Sequence, residues 1–457
     1  MTEQSKKQSG GEEQAFHGAS FSGIRCAEEG TYYKTSDALG GGPVSLYLHF
    51  PFCVQKCRYC DFLSYPAKEE ERAAYLGLLE QEIRAKAIWL GHLLYGGNLP
   101  CVDTIFFGGG TPSLMTQKEL DHLMFVLASC FLIDSDAEIT LECNPGTVTE
   151  EKLDSFRRSG INRLSIGVQS FREEELRMLG RIHTEKEARQ CIESAERVGF
   201  DSISLDLISA LPGQSFSQWM ESLREAVSWE PEHLSCYSLI LEDGTPLKRE
   251  YVAQYGTDEE PDEEEHSSLV QKEEKAHLSL PPLPSVEEDR RMYHETREFL
   301  GKYGYQRYEI SNYARPGYRS RHNSGYWTGH PYLGLGLGAS SYLAIPGKGR
   351  IRFANPDEMT SYSRMVQEDP SQWIRSNGVE ELSLRDQMAE FMFLGLRRMD
   401  GVRCDDFAQE FGQPIEAVYG DVIARYQDLG LLAQKEGRIY LTDAGIDVSN
   451  TVMEEFL

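Results

Sequence analysis

The sequence contains neither a long apolar run nor an excess of basic residues. Among its 457 residues there is no stretch of eighteen apolar ones, and the mean hydropathy is −0.46, which excludes a membrane-spanning helix. Lys and Arg total 46 against 73 Asp and Glu, a formal charge of −27, so broad electrostatic capture of nucleic acid or an anionic membrane is not expected. The 40% hydrophobic content is enough to build a core in two or three domains.

An export signal and a disulfide framework are also missing. The ten cysteines are scattered outside one tight group, and no basic segment followed by an apolar run opens the chain. We therefore expect a cytoplasmic protein with reduced cysteines. Most of them are predicted to be ordinary intracellular thiols: Cys26, Cys101, Cys130, Cys143, Cys191 and Cys404.

Short apolar runs alternate with helical patterns across residues 43–255. The predicted strands are VSLYLHF, VDTIFF, EITLEC, RLSIGV, SISLDLI and HLSCYSL. Repeated strand-then-helix units imply a parallel sheet with right-handed crossovers, either an open doubly wound sheet or a full or partial barrel. In either architecture the ligand face lies at the carboxyl ends of the strands.

The rest of the chain divides by composition. Residues 1–42 are predicted to be a flexible leader, and residues 256–288 an acidic, proline-rich insertion in which seven of the eight residues from Asp258 to Glu265 are acids. Residues 289–375 are predicted to complete the barrel. Residues 376–457 are predicted to form a mainly helical, winged-helix-like domain, and because no basic face is visible there, we expect a packing or lid role for it.

A cysteine group directly follows the first predicted strand. Cys53, Cys57 and Cys60 have the spacing C-x3-C-x2-C. Three thiolates can hold three irons of a [4Fe-4S] cluster and leave the fourth iron open to another ligand. A zinc site would need a fourth residue, for which His49 is a candidate, although its place in an apolar strand favours a core or supporting role. Three unrelated buried thiols remain the alternative.

Polar residues follow the other strands at matching positions. Gly108 to Thr111 come after the second strand, and glycines there let a backbone approach a ligand closely. Glu142, Gln169 and Asp206 end the next three strands, and their carboxylate and amide groups suit ribose hydroxyls and a cationic amine. Taken singly, each of these residues could instead cap a helix or satisfy a loop.

Together these motifs resemble radical S-adenosylmethionine (SAM) proteins, and among them the oxygen-independent coproporphyrinogen III oxidases and their heme-chaperone relatives, over about residues 44–450. The resemblance implies a partial TIM-type (β/α)6 barrel and a [4Fe-4S] cluster on Cys53, Cys57 and Cys60. It also implies that SAM chelates the open iron and that reductive cleavage of SAM yields a 5′-deoxyadenosyl radical. The SAM-contacting positions it implies are Tyr47, Tyr59, Gly109, Gly110, Thr111, Glu142, Gln169, Arg181 and Asp206.

The resemblance also suggests individual roles. Glu142 would pair with the SAM amine and Arg181 with its carboxylate, while Gln169 and Asp206 would bind ribose hydroxyls. Tyr59 would lie against the adenine. Arg181 could instead be an ordinary ion-pair residue of the surface.

Two features separate the oxidases from the heme chaperones of this family. The oxidases carry a further cysteine two residues after the third, whereas here Cys60 is followed by Asp61 and Phe62. The stretch RHNSGYW matches the chaperones' H-N-x-x-Y-W motif, which implies heme binding by His322, Asn323, Tyr326 and Trp327. His322 could instead only form hydrogen bonds within a loop, and His330 or Cys236 are alternative ligands of the heme iron.

We therefore expect a heme chaperone that holds heme, a [4Fe-4S] cluster and SAM. It would pass the heme to an acceptor hemoprotein, which could be soluble or membrane-associated. A homodimer is a candidate oligomeric state, and no nucleic acid is expected as a partner. The alternative is a coproporphyrinogen III oxidase, in which a SAM-derived radical abstracts a propionate β-hydrogen and two carboxylates leave as carbon dioxide. A radical SAM methyltransferase is a third hypothesis.

Overall fold

A computed structural model describes residues 41–256, 280–346, 349–368, 374 and 378–457. The acidic run from Asp258 to Glu265 lies outside these residues, as does the predicted leader up to residue 40. No helix in the described part of the chain is both long and apolar enough to cross a membrane.

The predicted strands of the first half form, and most of their bounds follow the apolar runs, although β5 begins at Leu132, six residues before the predicted run EITLEC. The described strands are β1 (Val44–Phe50), β2 (Phe52–Cys53), β3 (Tyr65–Pro66), β4 (Cys101–Gly109), β5 (Leu132–Cys143), β6 (Arg163–Gln169), β7 (Ser202–Ser209), β8 (His233–Ser238), β9 (Gln306–Arg307), β10 (Asn312–Ala314), β11 (Tyr332–Leu335), β12 (Ser340–Ile345), β13 (Gly349–Ala354), β14 (Glu380–Glu381), β15 (Val402–Arg403), β16 (Leu432–Lys435) and β17 (Arg438–Leu441).

Helices cross between the parallel strands, and several begin at a Ser or Thr whose side chain accepts a backbone N–H of the first turn, as at Thr116, Thr184 and Ser215. The described α-helices are α1 (Glu69–Leu94), α2 (Gln117–Cys130), α3 (Glu150–Arg158), α4 (Glu173–Met178), α5 (Glu185–Val198), α6 (Phe216–Ser228), α7 (Pro246–Tyr255), α8 (Val286–Gly301), α9 (Arg321–Trp327), α10 (Met359–Glu368), α11 (Leu384–Gly395), α12 (Cys404–Phe411), α13 (Glu416–Asp428), α14 (Asp443–Asp447) and α15 (Ser449–Glu454).

The main sheet has the order β14-β13-β12-β11-β1-β4-β5-β6-β7-β8-β10-β9 within the described residues. Strands β1 and β4 to β8 are mutually parallel, which confirms the predicted βα core. The sheet is wider than predicted, because β11 adds a further parallel strand beside β1. Antiparallel strands then extend both edges, β12 beyond β11 and β10 beyond β8.

A buried ion pair joins α1 to the β11 side of the sheet. Glu82 and Lys86 are one helical turn apart, 2.8 Å from carboxylate to ammonium, and both side chains are fully buried. Lys86 also donates to the Gly334 carbonyl, while Glu82 accepts from the Gly336 backbone and the Tyr362 hydroxyl. Such a pair is tolerated in the interior because its remaining hydrogen-bonding positions are satisfied.

The proline-rich end of the predicted insertion packs against the barrel instead of being solvated. Leu280 is buried, and its carbonyl accepts from Gln254 and Tyr255 of α7. The Pro282 carbonyl accepts from the backbone of Gly213, in the loop after β7. These contacts order the chain up to Ser285, which caps α8, so the helix begins three residues before the predicted Asp289.

The C-terminal segment has its own apolar core and the small sheet β15-β17-β16, as expected for a winged-helix-like unit. It packs against the barrel through α9 and the short strands around β9. Arg397 lies 4.4 Å from the centre of the Trp327 ring, and Glu309 pairs with Arg398 in an isolated β-bridge. This placement favours the packing role over the lid role.

Candidate cluster and nucleotide site

A cavity of about 400 Å³ opens at the carboxyl ends of the parallel strands, where the βα pattern places a ligand. The sequence-predicted residues that the fold brings together in its wall are Cys53, Cys57, Tyr59, Cys60, Gly109, Gly110, Thr111, Glu142, Gln169, Arg181 and Asp206. They come from the ends of β4, β5 and β6, the loop after β1 and the loop before α5, whereas Asp206, predicted to end its strand, lies three residues before the end of β7. Residues 378–457 contribute nothing to this wall.

The cysteine loop is held by backbone hydrogen bonds on both sides. The Arg58 N–H donates to the Leu179 carbonyl at 3.0 Å, and the Leu247 N–H donates to the Arg58 carbonyl at 2.9 Å. Two of the thiols have polar neighbours: Thr111 Oγ1 donates to Cys53 Sγ, and Arg181 Nη1 donates to Cys57 Sγ, both at 3.4 Å. All three cysteines are partly exposed to the cavity.

The donor set of this wall fits an iron–sulfur cluster. Cysteine thiolates are the usual ligands of such clusters, and N–H or O–H donors aimed at the sulfurs are a common way to tune them. Within the described residues, no three His, Cys, Asp or Glu side chains form a group suited to a single metal ion. Burial raises the pKa of Cys60 to about 11, so binding of a metal there displaces a proton from this thiol.

The glycine loop after β4 has to pass very close to the cysteine loop. A Cβ on Gly110 would lie 2.7 Å from the Phe52 carbonyl oxygen and 2.9 Å from that of Phe50. Gly110 N also donates to the Phe50 carbonyl at 2.8 Å. A side chain at this position would therefore push the glycine loop away from the residues that lead into Cys53.

Two buried carboxyl groups face the cavity. Burial and the neighbouring Asp206 raise the pKa of Glu142 to about 8, although Glu142 accepts the Gly109 N–H at 3.0 Å. Burial also raises the pKa of Asp206, which accepts from Ser165 Oγ at 2.8 Å and Ser204 Oγ at 3.2 Å. An incoming cation or hydroxyl would stabilise these groups as carboxylates.

Arg181 supplies a positive charge to the wall of the cavity. Its Nη2 donates to the Gly167 carbonyl at 2.7 Å, but its buried Nε has no hydrogen-bond partner in the structure. Such an N–H is costly to leave unsatisfied, and an anionic group of a ligand would satisfy it. A guanidinium and two carboxyl groups therefore line the same cavity, which fits the zwitterionic methionine end of SAM beside a cluster.

The raised pKa of Glu142 leads to a pH prediction. The unfolded carboxyl loses its proton near pH 4.5, whereas the folded one keeps it to about pH 8. The stabilising contribution of the protonated Glu142 is therefore fully present below pH 4.5 and is lost as the pH rises through 8.

In urea unfolding of cluster-free protein, we expect the wild type to lose stability relative to Glu142→Gln between pH 5 and 8.5. Asp206, Tyr47 and Tyr326 are the titratable groups that interact with Glu142. Parallel stability curves for the two proteins would contradict the assignment.

Tyr47 is the one predicted SAM residue outside the cavity wall. Its ring stacks beside Phe106, and its hydroxyl lies 3.0 Å from His49 Nδ1. His49 Nε2 donates to the Leu63 carbonyl at 2.8 Å, so His49 connects β1 to the end of the cysteine loop. This is the supporting role expected for His49, and Tyr47 acts with it beneath the cavity.

The structure places His322 inside the barrel, away from the cysteine loop. It is 1% exposed, its Nδ1 lies 2.7 Å from Thr104 Oγ1, and its Nε2 lies 2.9 Å from the Tyr326 hydroxyl. Its ring stacks on Phe106, and burial lowers its pKa to about 3. Neither ring nitrogen is available to a heme iron in this conformation, because both are already hydrogen-bonded.

The other predicted heme residues differ in their exposure. Asn323, Tyr326 and Trp327 are only partly buried, and the Trp327 indole N–H lacks a partner. Of the alternative ligands, His330 places its Nε2 3.1 Å from a carboxylate oxygen of Asp103, and Cys236 is buried with a pKa raised by burial and by Asp206. The segment therefore offers aromatic surface rather than an open ligand.

Sequence reasoning missed part of the wall. Asn144, Ser165, Ile208, Tyr237 and Ile240 also line the cavity. A usable signal existed for Ser165, because it alternates with Gly167 and Gln169 along β6, so all three face the same side of the strand. Cys143, predicted to be an ordinary thiol, also reaches this wall.

Comparisons with known proteins agree with this geometry. The chain matches the Radical SAM superfamily over residues 47–226 and the HemN C-terminal domain over residues 382–448. Among solved structures, it is similar to coproporphyrinogen III oxidase (HemN) of Escherichia coli, a radical SAM enzyme, with a TM-score of 0.71, 25% identity and coverage of 91% of this chain and 90% of the other. The fold and the site thus define a radical SAM protein.

The curated relatives narrow the assignment. The chain is 34% identical to heme chaperone HemW of Bacillus subtilis, with coverage of 90% of this chain and 99% of the relative. It is 38% identical to heme chaperone HemW of Escherichia coli, with coverage of 68% and 72%. The chain therefore belongs to the HemW family.

Proposed function

We propose that this protein is a heme chaperone, which binds heme together with a [4Fe-4S] cluster and SAM and passes the heme to an acceptor hemoprotein. The proposal includes a cytoplasmic location, a soluble or membrane-associated acceptor, and pairing of two copies. Its support outside the structure is that the curated relatives are named heme chaperones.

The observation that carries the proposal is the residue after the cluster loop. Phe62 stands where the oxidases of this family have a further cysteine, and its side chain is 57% exposed at the rim of the cavity. An exposed phenyl ring can pack against a macrocycle or a partner protein, but it cannot replace a cysteine thiol in a reaction.

The residues of the wall would hold the cofactors in a defined arrangement. Cys53, Cys57 and Cys60 would bind the cluster, which supplies one-electron chemistry to SAM when both are present. Arg181 would bind the SAM carboxylate and Glu142 the amine, with Asp206 and Gln169 on the ribose. These roles are supported by the buried carboxyl groups and by the unpartnered Nε of Arg181 in the cavity wall.

Heme is proposed to contact the aromatic side chains of α9 rather than a free imidazole of His322. Tyr326 and Trp327 are partly exposed, and Arg397 lies over the Trp327 ring. Aromatic faces and an arginine suit a flat macrocycle with propionate groups.

A decarboxylation assay separates the chaperone from the oxidase. Anaerobically reconstituted protein, with reductant, SAM and coproporphyrinogen III, is expected to form no protoporphyrinogen IX while it binds heme at micromolar concentration. Product that depends on both SAM and Cys53 would overturn the chaperone proposal in favour of the oxidase. A Phe62→Cys variant tests the rim residue: it is expected to bind the cluster and SAM as the wild type does.

A further inference from the structure

A row of buried polar groups connects the inside of the barrel to Asp206. The Tyr308 hydroxyl lies 2.9 Å from His233 Nε2, and His233 Nδ1 lies 2.8 Å from Ser204 Oγ. Ser204 Oγ in turn donates to Asp206 Oδ1 at 3.2 Å. Tyr308, His233 and Ser204 are each less than a twentieth exposed, at 4%, 1% and 2%. The row runs from the start of β8 to the middle of β7, and of its four members only Asp206 lines the cavity.

The chemistry of these groups fixes the direction of the hydrogen bonds. Ser204 has a single proton, so when it donates to Asp206 it has to accept from His233, which places the histidine proton on Nδ1. Burial and the nearby Arg163 lower the pKa of His233, so the ring is neutral and its Nε2 is an acceptor. Nε2 then accepts a hydrogen bond from the Tyr308 hydroxyl. The Tyr308 oxygen itself accepts the backbone N–H of Ser320, the residue that caps α9.

We propose that His233 and Tyr308 are positioning residues for Asp206, because they keep the Ser204 hydroxyl donating its hydrogen bond to the Asp206 carboxylate. Ser165 donates to the other carboxylate oxygen at 2.8 Å, and the Ser235 hydroxyl is a further hydrogen-bond partner of Asp206, so this carboxylate is fixed from within the barrel beside the cavity. A carboxylate fixed in this way suits the vicinal hydroxyl pair of a ribose. The inference deepens the proposed function, since it rests on SAM being the ligand of this cavity.

The row is sensitive to a change far from the cavity. Without the Tyr308 hydroxyl, His233 Nε2 loses its donor, and the histidine proton can move to that nitrogen. Nδ1 then becomes an acceptor for Ser204, whose distance to it is shorter than its distance to Asp206. Ser204 would turn from Asp206, and the carboxylate would lose a donor without any residue of the cavity wall being changed.

Tyr308→Phe tests the inference, with Tyr313→Phe as the matched control. Tyr313 is equally buried on neighbouring β10, but its hydroxyl has no hydrogen-bond partner in the structure. SAM affinity is measured on anaerobically reconstituted protein by equilibrium binding. Tyr308→Phe is expected to weaken SAM binding by about fivefold to tenfold, the effect of one buried hydrogen bond, and Tyr313→Phe to leave it unchanged.

A double-mutant cycle separates positioning from a general loss of packing. If Tyr308 acts through Ser204, Tyr308→Phe has no further effect on SAM affinity in a Ser204→Ala background. Additive losses, or unchanged affinity in Tyr308→Phe, would overturn the inference. These outcomes differ from failure of the proposed function, in which the reconstituted wild type itself binds no SAM or no heme.

Discussion

Replacing Cys57 with serine is expected to reduce the iron content of the reconstituted protein from about four atoms per chain to a small residue, with loss of the cluster's absorption in the visible range. Cys53, Cys57 and Cys60 share one wall of the cavity, and a [4Fe-4S] cluster with only three protein ligands has no spare cysteine to replace a lost one. Serine keeps the size of the side chain, so the loss is one of ligation rather than of packing.

The matched control for this prediction is Cys130→Ser. Cys130 is also partly buried, but it lies at the end of α2 and does not line the cavity. This variant should retain the iron content and spectrum of the wild type, and both variants should unfold at similar denaturant concentrations before reconstitution. A full cluster in Cys57→Ser would show that this thiol is not a ligand, and equal iron loss in Cys130→Ser would point to general instability.

His322→Ala is expected to lower the free energy of unfolding by about 3 to 5 kcal/mol while leaving the heme stoichiometry unchanged. The substitution removes a fully buried ring that stacks on Phe106. It also removes one hydrogen bond from each of the Thr104 and Tyr326 hydroxyls, although Thr104 keeps its hydrogen bond to Ser45 Oγ. The cost therefore combines a cavity with two lost hydrogen bonds. Urea unfolding measures the stability, and a heme titration at a temperature where the variant is folded measures the binding.

Two further variants keep this prediction testable. His122→Ala removes an exposed histidine that pairs with Glu80 on the surface, and its stability should change by less than about 0.5 kcal/mol. Thr104→Val removes the hydroxyl that is hydrogen-bonded to His322 Nδ1 but keeps the imidazole. This variant should therefore lower the free energy of unfolding without changing the heme spectrum. Loss of heme from folded His322→Ala, with Thr104→Val still binding it normally, would show that His322 ligates the iron.

Much of the fold and of the cavity could be predicted because local sequence patterns determine them. The apolar runs fix β1 and β4 to β8, and parallel strands bring their carboxyl ends to one edge, so Glu142 and Asp206 meet although 64 positions separate them in sequence. The cysteine spacing likewise places three thiols on one short loop. Two residues depart from this pattern: Tyr47 is the fourth of the seven residues of β1, and Asp206 lies three residues before the end of β7.

The features that were missed depend on tertiary contacts. Nothing in the stretch RHNSGYW shows that His322 Nδ1 forms a hydrogen bond with Thr104 of β4, or that its Nε2 forms one with Tyr326. The proline-rich segment reads as solvated until α7 and the loop after β7 supply donors for its carbonyls. The four residues of β11 lie in a glycine- and aromatic-rich stretch and are too few to show the alternation of a strand, so their pairing with β1, which covers that edge of the sheet, was not predicted.

Heme transfer tests the central claim most directly. Anaerobically reconstituted protein is loaded with one equivalent of heme and mixed with an apo-hemoprotein whose heme-bound spectrum is distinct, and the rate of transfer is compared with that from protein lacking the cluster. A heme chaperone predicts stoichiometric binding followed by transfer that is faster when the cluster and SAM are present. Absence of heme binding by the cluster-loaded protein, or conversion of coproporphyrinogen III by the same sample, would contradict the account.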